Sequence, residues 1–169
     1  MARAGKLAVK ASATLLPASA ATEPRHDQLA LGELNEHIGY FARRFQIWIF
    51  QDLIKTLASA DIRISHYSVL AVIEANAGLA QSEIAEAVGI EPARLVRVLD
   101  ELEQRGLIQR MRSATDRRSH ALFLTPQGQI SFEEIKRLAR QHEAHVIAKL
   151  GTAKYKSLIK MLREIEIQT

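Results

Sequence analysis

The chain has 169 residues, 47% of them hydrophobic, a size and composition that suit one globular domain. Its 23 basic and 19 acidic residues leave a formal net charge of +4, which suits an anionic partner without requiring one. Cysteine is absent, so the composition excludes disulfides, zinc–thiolate sites and thiol-based oxidant sensing. The sequence shows neither a secretory signal nor an apolar run of about 20 residues that could span a membrane. We therefore expect a cytoplasmic protein.

The first 26 residues are rich in Ala, Ser and Thr, and they include Pro17 and Pro24. They show no helical or strand period, and basic residues outnumber acidic ones. This pattern predicts a disordered basic arm over residues 1–26.

The segment from Glu33 to Leu57 contains no proline, and its apolar residues recur at spacings of three and four. These residues are Leu34, Ile38, Phe41, Phe45, Trp48, Ile49 and Leu53. The pattern predicts a long buried helix. A second helix is expected to be capped by Ser65 and to end at Asn76-Ala77-Gly78. Both helices are expected to have a structural role.

Two short helices follow, separated by a glycine. Residues Gln81–Val88 form the first, and Gly89 is its stop signal. Pro92 then suits the first turn of a new helix, which ends at Gly106. The predicted inner stripe of this second helix is Leu95, Val98, Leu99 and Leu102. Two short helices joined by a tight turn are typical of a helix-turn-helix.

A charged hairpin is predicted immediately after these helices. Leu107–Arg112 and His120–Leu124 have strand character, and the intervening Ser113–Ser119 is polar and basic. Next, Thr125 and Thr152 are placed to cap two final helices. The predicted fold is therefore mainly α with a small β-hairpin, in which a winged helix-turn-helix accompanies a helical region.

The polar face of the second short helix suits DNA. A recognition helix reads base edges from its N-terminal part, and an arginine there can bind guanine O6 and N7 together. Arg94 and Arg97 occupy that face, and Ala93 or Val96 could contact a thymine methyl group. In the wing, Asp116 is expected to pair with an arginine and leave Arg117 or Arg118 for the minor groove. The predicted DNA-binding residues are Gln81, Ser82, Pro92, Ala93, Arg94, Arg97, Arg112, Asp116, Arg117 and Arg118.

Several of these segments together resemble the MarR family of regulators. They are Gln81-Ser-Glu-Ile-Ala, Leu102-Glu-Gln-Arg-Gly-Leu-Ile, Asp116-Arg-Arg, and Leu122-Phe-Leu-Thr-Pro-Gln-Gly. The resemblance implies a homodimer whose terminal helices, in residues 27–64 and 126–169, intertwine. It also implies that residues 65–125 form a winged lobe that binds a pseudo-palindromic operator in double-stranded DNA. Two departures are Ala80, where the family often has a capping Thr, and Pro92-Ala93-Arg94, in place of the usual Ser-Thr opening.

The same resemblance implies an effector site between the first, second and fifth helices. The residues expected to line it are Tyr40, Arg43, Arg44, Ile47, Trp48, His66 and Tyr67. Aromatic faces beside two arginines suit a small aromatic carboxylate or an aromatic acyl-CoA. The segment Gly39–Gln46 resembles branches of the family that control aromatic-acid degradation, including regulators that respond to hydroxycinnamoyl-CoA. The alternative is that the aromatic residues are core packing and that the arginines form surface or intersubunit pairs.

Other functions have less support from the sequence. His142, Glu143 and His145 invite comparison with a metallohydrolase, but the histidines are three residues apart instead of four, and no third ligand is evident. No phosphate loop or dinucleotide fingerprint occurs, so we expect neither an enzyme nor a metal or cofactor. A winged helix that only joins proteins is a further alternative. Arg94, Arg97 and Arg118 favour the DNA-binding regulator, with repression as the family default.

Overall fold

The computed structural model describes residues 30–112 and 120–165. The chain divides into two units. Within the described residues, the first unit covers 30–37 and contains a 3-10 helix, Gly32–Glu36. The second unit begins at Ile38 and holds the remaining elements. The predicted basic arm and the tip of the predicted wing lie outside the described residues.

The second unit is mainly helical, with one hairpin, as predicted. Its elements in chain order are α1 (Ile38–Leu57), α2 (Ile64–Ala75), α3 (Gln81–Val88), α4 (Pro92–Gln104), β1 (Ile108–Arg112), β2 (His120–Leu124), α5 (Pro126–Leu150) and α6 (Thr152–Glu164). A short 3-10 turn, Ala58–Ala60, follows α1. None of the described helices is long and apolar enough to cross a membrane.

The hairpin is joined to the helix-turn-helix through the backbone. Strands β1 and β2 are antiparallel, with Ile108 opposite Leu124 and Arg112 opposite His120. On the other side of β2, the N–H of Leu122 donates to the carbonyl of Leu79 at 3.1 Å. These bonds fix the wing strands against the segment that leads into α3, because they satisfy backbone groups of both.

One apolar core lies beneath α3 and α4. The predicted inner stripe of α4 is buried: Leu95, Leu99 and Leu102 are fully covered, and Val98 is nearly so. Leu57, Leu70, Ile84, Leu122 and Phe132 belong to the same cluster. The core therefore holds α4 by one face and leaves its opposite face to solvent.

The prediction of a long buried helix over residues 33–57 was wrong in two respects. Helix α1 begins only at Ile38, because His37 has an extended backbone with φ of −98° and ψ of 114°. Of the predicted stripe, Leu53 is buried, whereas Ile38 and Phe41 are 86% and 49% exposed. A single chain thus leaves most of the apolar face of α1 uncovered. The periodicity was a sound indication of an apolar face but could not show what covers it.

Two predicted caps were also wrong. Helix α2 begins one residue before Ser65, with Arg63 as its N-cap residue, so Ser65 lies within the first turn. Helix α6 has Gly151 as its N-cap residue, and Thr152 is already helical. The predicted cap of α5 is confirmed, because the Thr125 hydroxyl accepts a hydrogen bond from the Gly128 N–H at 2.9 Å.

Candidate nucleic-acid interface

The turn between α3 and α4 is built by glycine and by side-chain caps. Gly89 has a left-handed backbone, with φ of 64°, which ends α3 at little steric cost. A carboxylate oxygen of Glu91 then accepts the N–H of Arg94 at 3.0 Å and caps α4. At the start of α3, Glu83 accepts the N–H of Ala80 at 2.7 Å. This is the half of a capping box that the Glu side chain supplies, and Ala80 has no side-chain oxygen with which to supply the other half.

The outward face of α4 presents the residues predicted to contact bases. Ala93, Arg94 and Arg97 are all exposed. A groove of about 620 Å³ separates the start of α4 from α3. Its lining residues are Gln81, Ser82, Ala85, Glu86, Gly89, Ile90, Glu91 and Pro92. The structure therefore brings the predicted Gln81, Ser82 and Pro92 together around one groove. Asp116, Arg117 and Arg118 lie outside the described residues.

The arginines of this region divide into two groups. The guanidinium of Arg105 donates to the backbone carbonyl of Asp61 at 2.6 Å, and that of Arg110 pairs with two carboxylates of α4. The side chains of Arg105 and Arg110 therefore stabilise the fold. Arg94, Arg97 and Arg112 form no ion pair with any residue that the structure describes, so their charges remain available to an anionic partner.

A second groove, of about 580 Å³, runs between α4 and the α1–α2 connection. It is lined by Ile54, Ala58, Asp61, Ile62, Arg63, Ile64, Ser65, Arg94, Arg97, Val98 and Glu101. Arg63 was not among the predicted residues, because no local pattern in the sequence shows that this connection lies beside α4. Only the tertiary packing places a third arginine near Arg94 and Arg97.

The predicted effector residues on α1 form one group. The guanidinium of Arg44 donates to the Tyr40 hydroxyl at 2.9 Å, and its central carbon lies 5.7 Å from the centre of that ring. Arg43 and Ile47 are exposed. Trp48 is half-buried, with its ring 5.8 Å from that of Phe45. This face thus combines aromatic surface with positive charge, and its role in binding an effector stays a prediction.

The predicted effector residues on α2 have internal partners instead. Both ring nitrogens of the buried His66 are occupied: Nδ1 accepts the N–H of Arg63 at 3.4 Å, so Nε2 donates to the Glu101 carboxylate at 2.9 Å. Glu101 also pairs with the Arg63 guanidinium. Tyr67 is half-buried and lies 6.2 Å from the ring of Phe132. His66 therefore links α2 to α4. That His66 or Tyr67 lines an effector site stays a prediction.

The protonation of His66 gives a testable pH dependence. Burial, followed by the positive charges of Arg63 and Arg105, lowers the pKa of His66 to about 4. The unfolded chain binds a proton at this residue below pH 6.5, whereas the folded chain does not. Stability should therefore fall as the pH drops from 6.5 towards 4, by about 3 kcal/mol at most from this residue. Urea unfolding at a series of pH values measures the effect.

The matched variant is His66→Gln, which has no titrating ring and retains an amide that can donate to Glu101. Its stability should decline less steeply over the same pH interval than that of the wild type. Identical slopes for the two proteins would show that His66 is not the titrating group.

The histidines of α5 are engaged by a carboxylate of α1. Nδ1 of the buried His142 lies 2.6 Å from the Asp52 carboxylate, and Nδ1 of the more exposed His145 lies 3.4 Å from the same oxygen. The hydrogen bond with His142 is the main cause of a lowered pKa at Asp52. Glu143 instead accepts the Tyr155 hydroxyl at 2.6 Å. Within residues 30–112 and 120–165, no group of three or more His, Asp or Glu side chains could hold a metal ion.

Comparison with known proteins identifies the family. The family model for MarR matches residues 62–120, which span α2 to the first residue of β2. A protein of Thauera aromatica, assigned to transcriptional regulation of the hcr operon, is 32% identical over 139 residues, or 82% of this chain and 84% of the relative. The chain belongs to the MarR family. The predicted fold and class of function are thereby confirmed, because members of this family are transcriptional regulators.

Two solved structures show the likeness in three dimensions. The transcriptional repressor CouR bound to a 23-mer DNA duplex is 39% identical, with a TM-score of 0.77, and the match covers 81% of this chain and 97% of CouR. CouR bound to p-coumaroyl-CoA is 37% identical, with a TM-score of 0.75 and coverage of 84% and 100%. The MarR-family fold thus extends well beyond the segment that the family model matches.

Proposed function

We propose that this MarR-family chain is a homodimeric repressor that binds a pseudo-palindromic operator and is released by an aromatic effector. The proposal of DNA binding rests mainly on the outward face of α4. Arg94 and Arg97 are exposed there and form no ion pair with a described residue. The same arrangement suits major-groove recognition, with α4 as the recognition helix and the hairpin beside it as the wing. DNA-bound CouR supports this assignment.

The dimer interface is proposed on the terminal helices. Helix α1 exposes Ile38, Phe41 and Ile54, and α6, which has no buried residue, exposes Met161 and Leu162. Large apolar side chains at this density usually mark an interaction surface, because their exposure to water is unfavourable. A second copy of the chain would cover them and place two recognition helices on one duplex.

The proposed effector is a small aromatic carboxylate or an aromatic acyl-CoA. Support comes from the aromatic and cationic face of α1 around Tyr40, Arg44 and Trp48. CouR bound to p-coumaroyl-CoA shows that a relative of this fold takes such a ligand. We propose that the effector prefers a separation of the two lobes other than the ~34 Å between successive major grooves, and so releases the DNA. The function is thus one of binding, with no catalytic step.

The test is a titration of the purified protein against DNA from its own upstream region and against a scrambled duplex, at several salt concentrations. A preference of about a thousandfold or more for the upstream DNA is expected. Aromatic acids and their CoA thioesters are then added singly, and one of them should abolish the preference. Equal weak binding to both duplexes, unchanged by every compound, would instead favour a winged helix that joins proteins.

A further inference from the structure

Arg110 of β1 forms two ion pairs with the recognition helix. Its guanidinium nitrogens lie 2.6 Å from the carboxylates of Asp100 and Glu103, which are one helical turn apart on α4. Its backbone N–H also lies 3.3 Å from an oxygen of Glu103. The Arg110 side chain is 23% exposed, whereas those of Asp100 and Glu103 are 46% and 39% exposed, so solvent screens these contacts only in part. We refer to these three residues as the α4–β1 clamp.

The clamp lies where α3, α4 and the hairpin meet. A small cavity of about 370 Å³ at this place is lined by residues of α3, α4 and both strands: Gln81, Val96, Asp100, Arg110, His120 and Leu122. Within the described residues, the clamp supplies the ion pairs between β1 and α4. Together with the backbone bonds that hold the hairpin, it therefore helps to set the direction in which β1 leaves α4.

That direction matters for a residue two positions further along β1. Side chains of a strand alternate, so Arg110 and Arg112 belong to the same face. Arg112 is exposed, is the last residue of β1, and forms no ion pair with any residue that the structure describes. A change in the angle between β1 and α4 would move Arg112 relative to Arg94 and Arg97 on the recognition helix.

We propose that Arg110 is a positioning residue for DNA binding. It contacts no DNA itself, and it fixes β1 so that Arg112 reaches a phosphate while α4 occupies the major groove. The inference rests on the proposed DNA-binding function. It assigns to Arg110 an effect on the number of phosphate contacts, which a residue that only stabilised the fold would not have.

The test compares the wild type with Arg110→Gln, Arg112→Ala and the double variant, using the operator affinity measured at several salt concentrations. Arg110→Gln should weaken operator binding about tenfold and reduce the salt slope by about one, as expected for one lost phosphate contact. In the Arg112→Ala background it should reduce the slope no further, because the contact is already absent. Arg110→Lys, which retains one charge at the clamp, should restore part of the loss.

Thermal unfolding of each variant shows whether the fold is retained. A triple variant, Arg110→Gln with Asp100→Asn and Glu103→Gln, removes the unpaired carboxylates without restoring the clamp, and it should keep the reduced slope. An unchanged slope in Arg110→Gln, a further reduction in the Arg112→Ala background, or full recovery in the triple variant would each overturn the inference. If the wild type itself showed no preference for the operator, the proposed function would fail first.

Discussion

Replacing Gly128 with alanine is expected to destabilise the chain by about 3 kcal/mol, the upper end for overpacking of a core. A Cβ atom at Gly128 would lie 1.8 Å from the carbonyl oxygen of Leu107 and 2.8 Å from its carbonyl carbon. These are backbone atoms, and the same oxygen accepts the N–H of Thr125 at 3.1 Å. Relief of the clash would therefore have to separate the start of α5 from the hairpin. Urea unfolding of the purified variant measures the loss.

The matched control is Gly39→Ala, the same substitution near the start of α1. A Cβ atom there meets no atom within 4 Å, and the residue is exposed. Alanine favours a helix over glycine by about 0.5–1 kcal/mol, so this variant should be as stable as the wild type or more so. Equal stability of the two variants would show that the close approach to Leu107 does not constrain the fold.

Gly128 illustrates how much of the fold the sequence could predict. The resemblance to the MarR family placed a glycine shortly after the second strand, and the periodicity of α4 predicted its buried residues, Leu95, Leu99 and Leu102. Gly89 and Thr125 also act as predicted, as a helix stop and a helix cap. These features are local, since a turn, a cap or an amphipathic stripe is determined by residues within a few positions of one another. What Gly128 contacts could be known only from the tertiary structure.

In the candidate site, by contrast, the contacts that the side chains make could not be predicted from the sequence. The run of arginines in the helix-turn-helix and wing predicted an anionic partner, yet Arg105 and Arg110 are engaged inside the fold. His66 was predicted to line an effector site, and the structure adds that its ring joins Glu101 of the recognition helix. Such pairings connect residues up to 45 positions apart, and nothing in a local pattern specifies them. Likewise, a single chain cannot show what covers the apolar face of α1.

The double variant Arg94→Ala/Arg97→Ala is expected to lose operator recognition while remaining folded. Both side chains are exposed, and neither forms an ion pair with a described residue, so their removal should cost little stability. A bidentate contact to guanine contributes about 1–3 kcal/mol of discrimination. Loss of two such contacts, about 2–6 kcal/mol together, should weaken operator binding by roughly thirtyfold to twenty-thousandfold. Titrations with operator and scrambled duplexes at one salt concentration measure the change.

The control must remove the same charge from another place. Arg137 and Arg140 are exposed on α5, so the variant Arg137→Ala/Arg140→Ala lowers the net charge equally without changing α4. If α4 reads base edges, the control should keep its preference for the operator over the scrambled duplex, whereas the α4 variant should bind the two about equally. If both variants lost affinity equally for both duplexes, Arg94 and Arg97 would contribute only to the overall electrostatic attraction. Recognition of the operator would then have to depend on other residues or on the shape of the DNA.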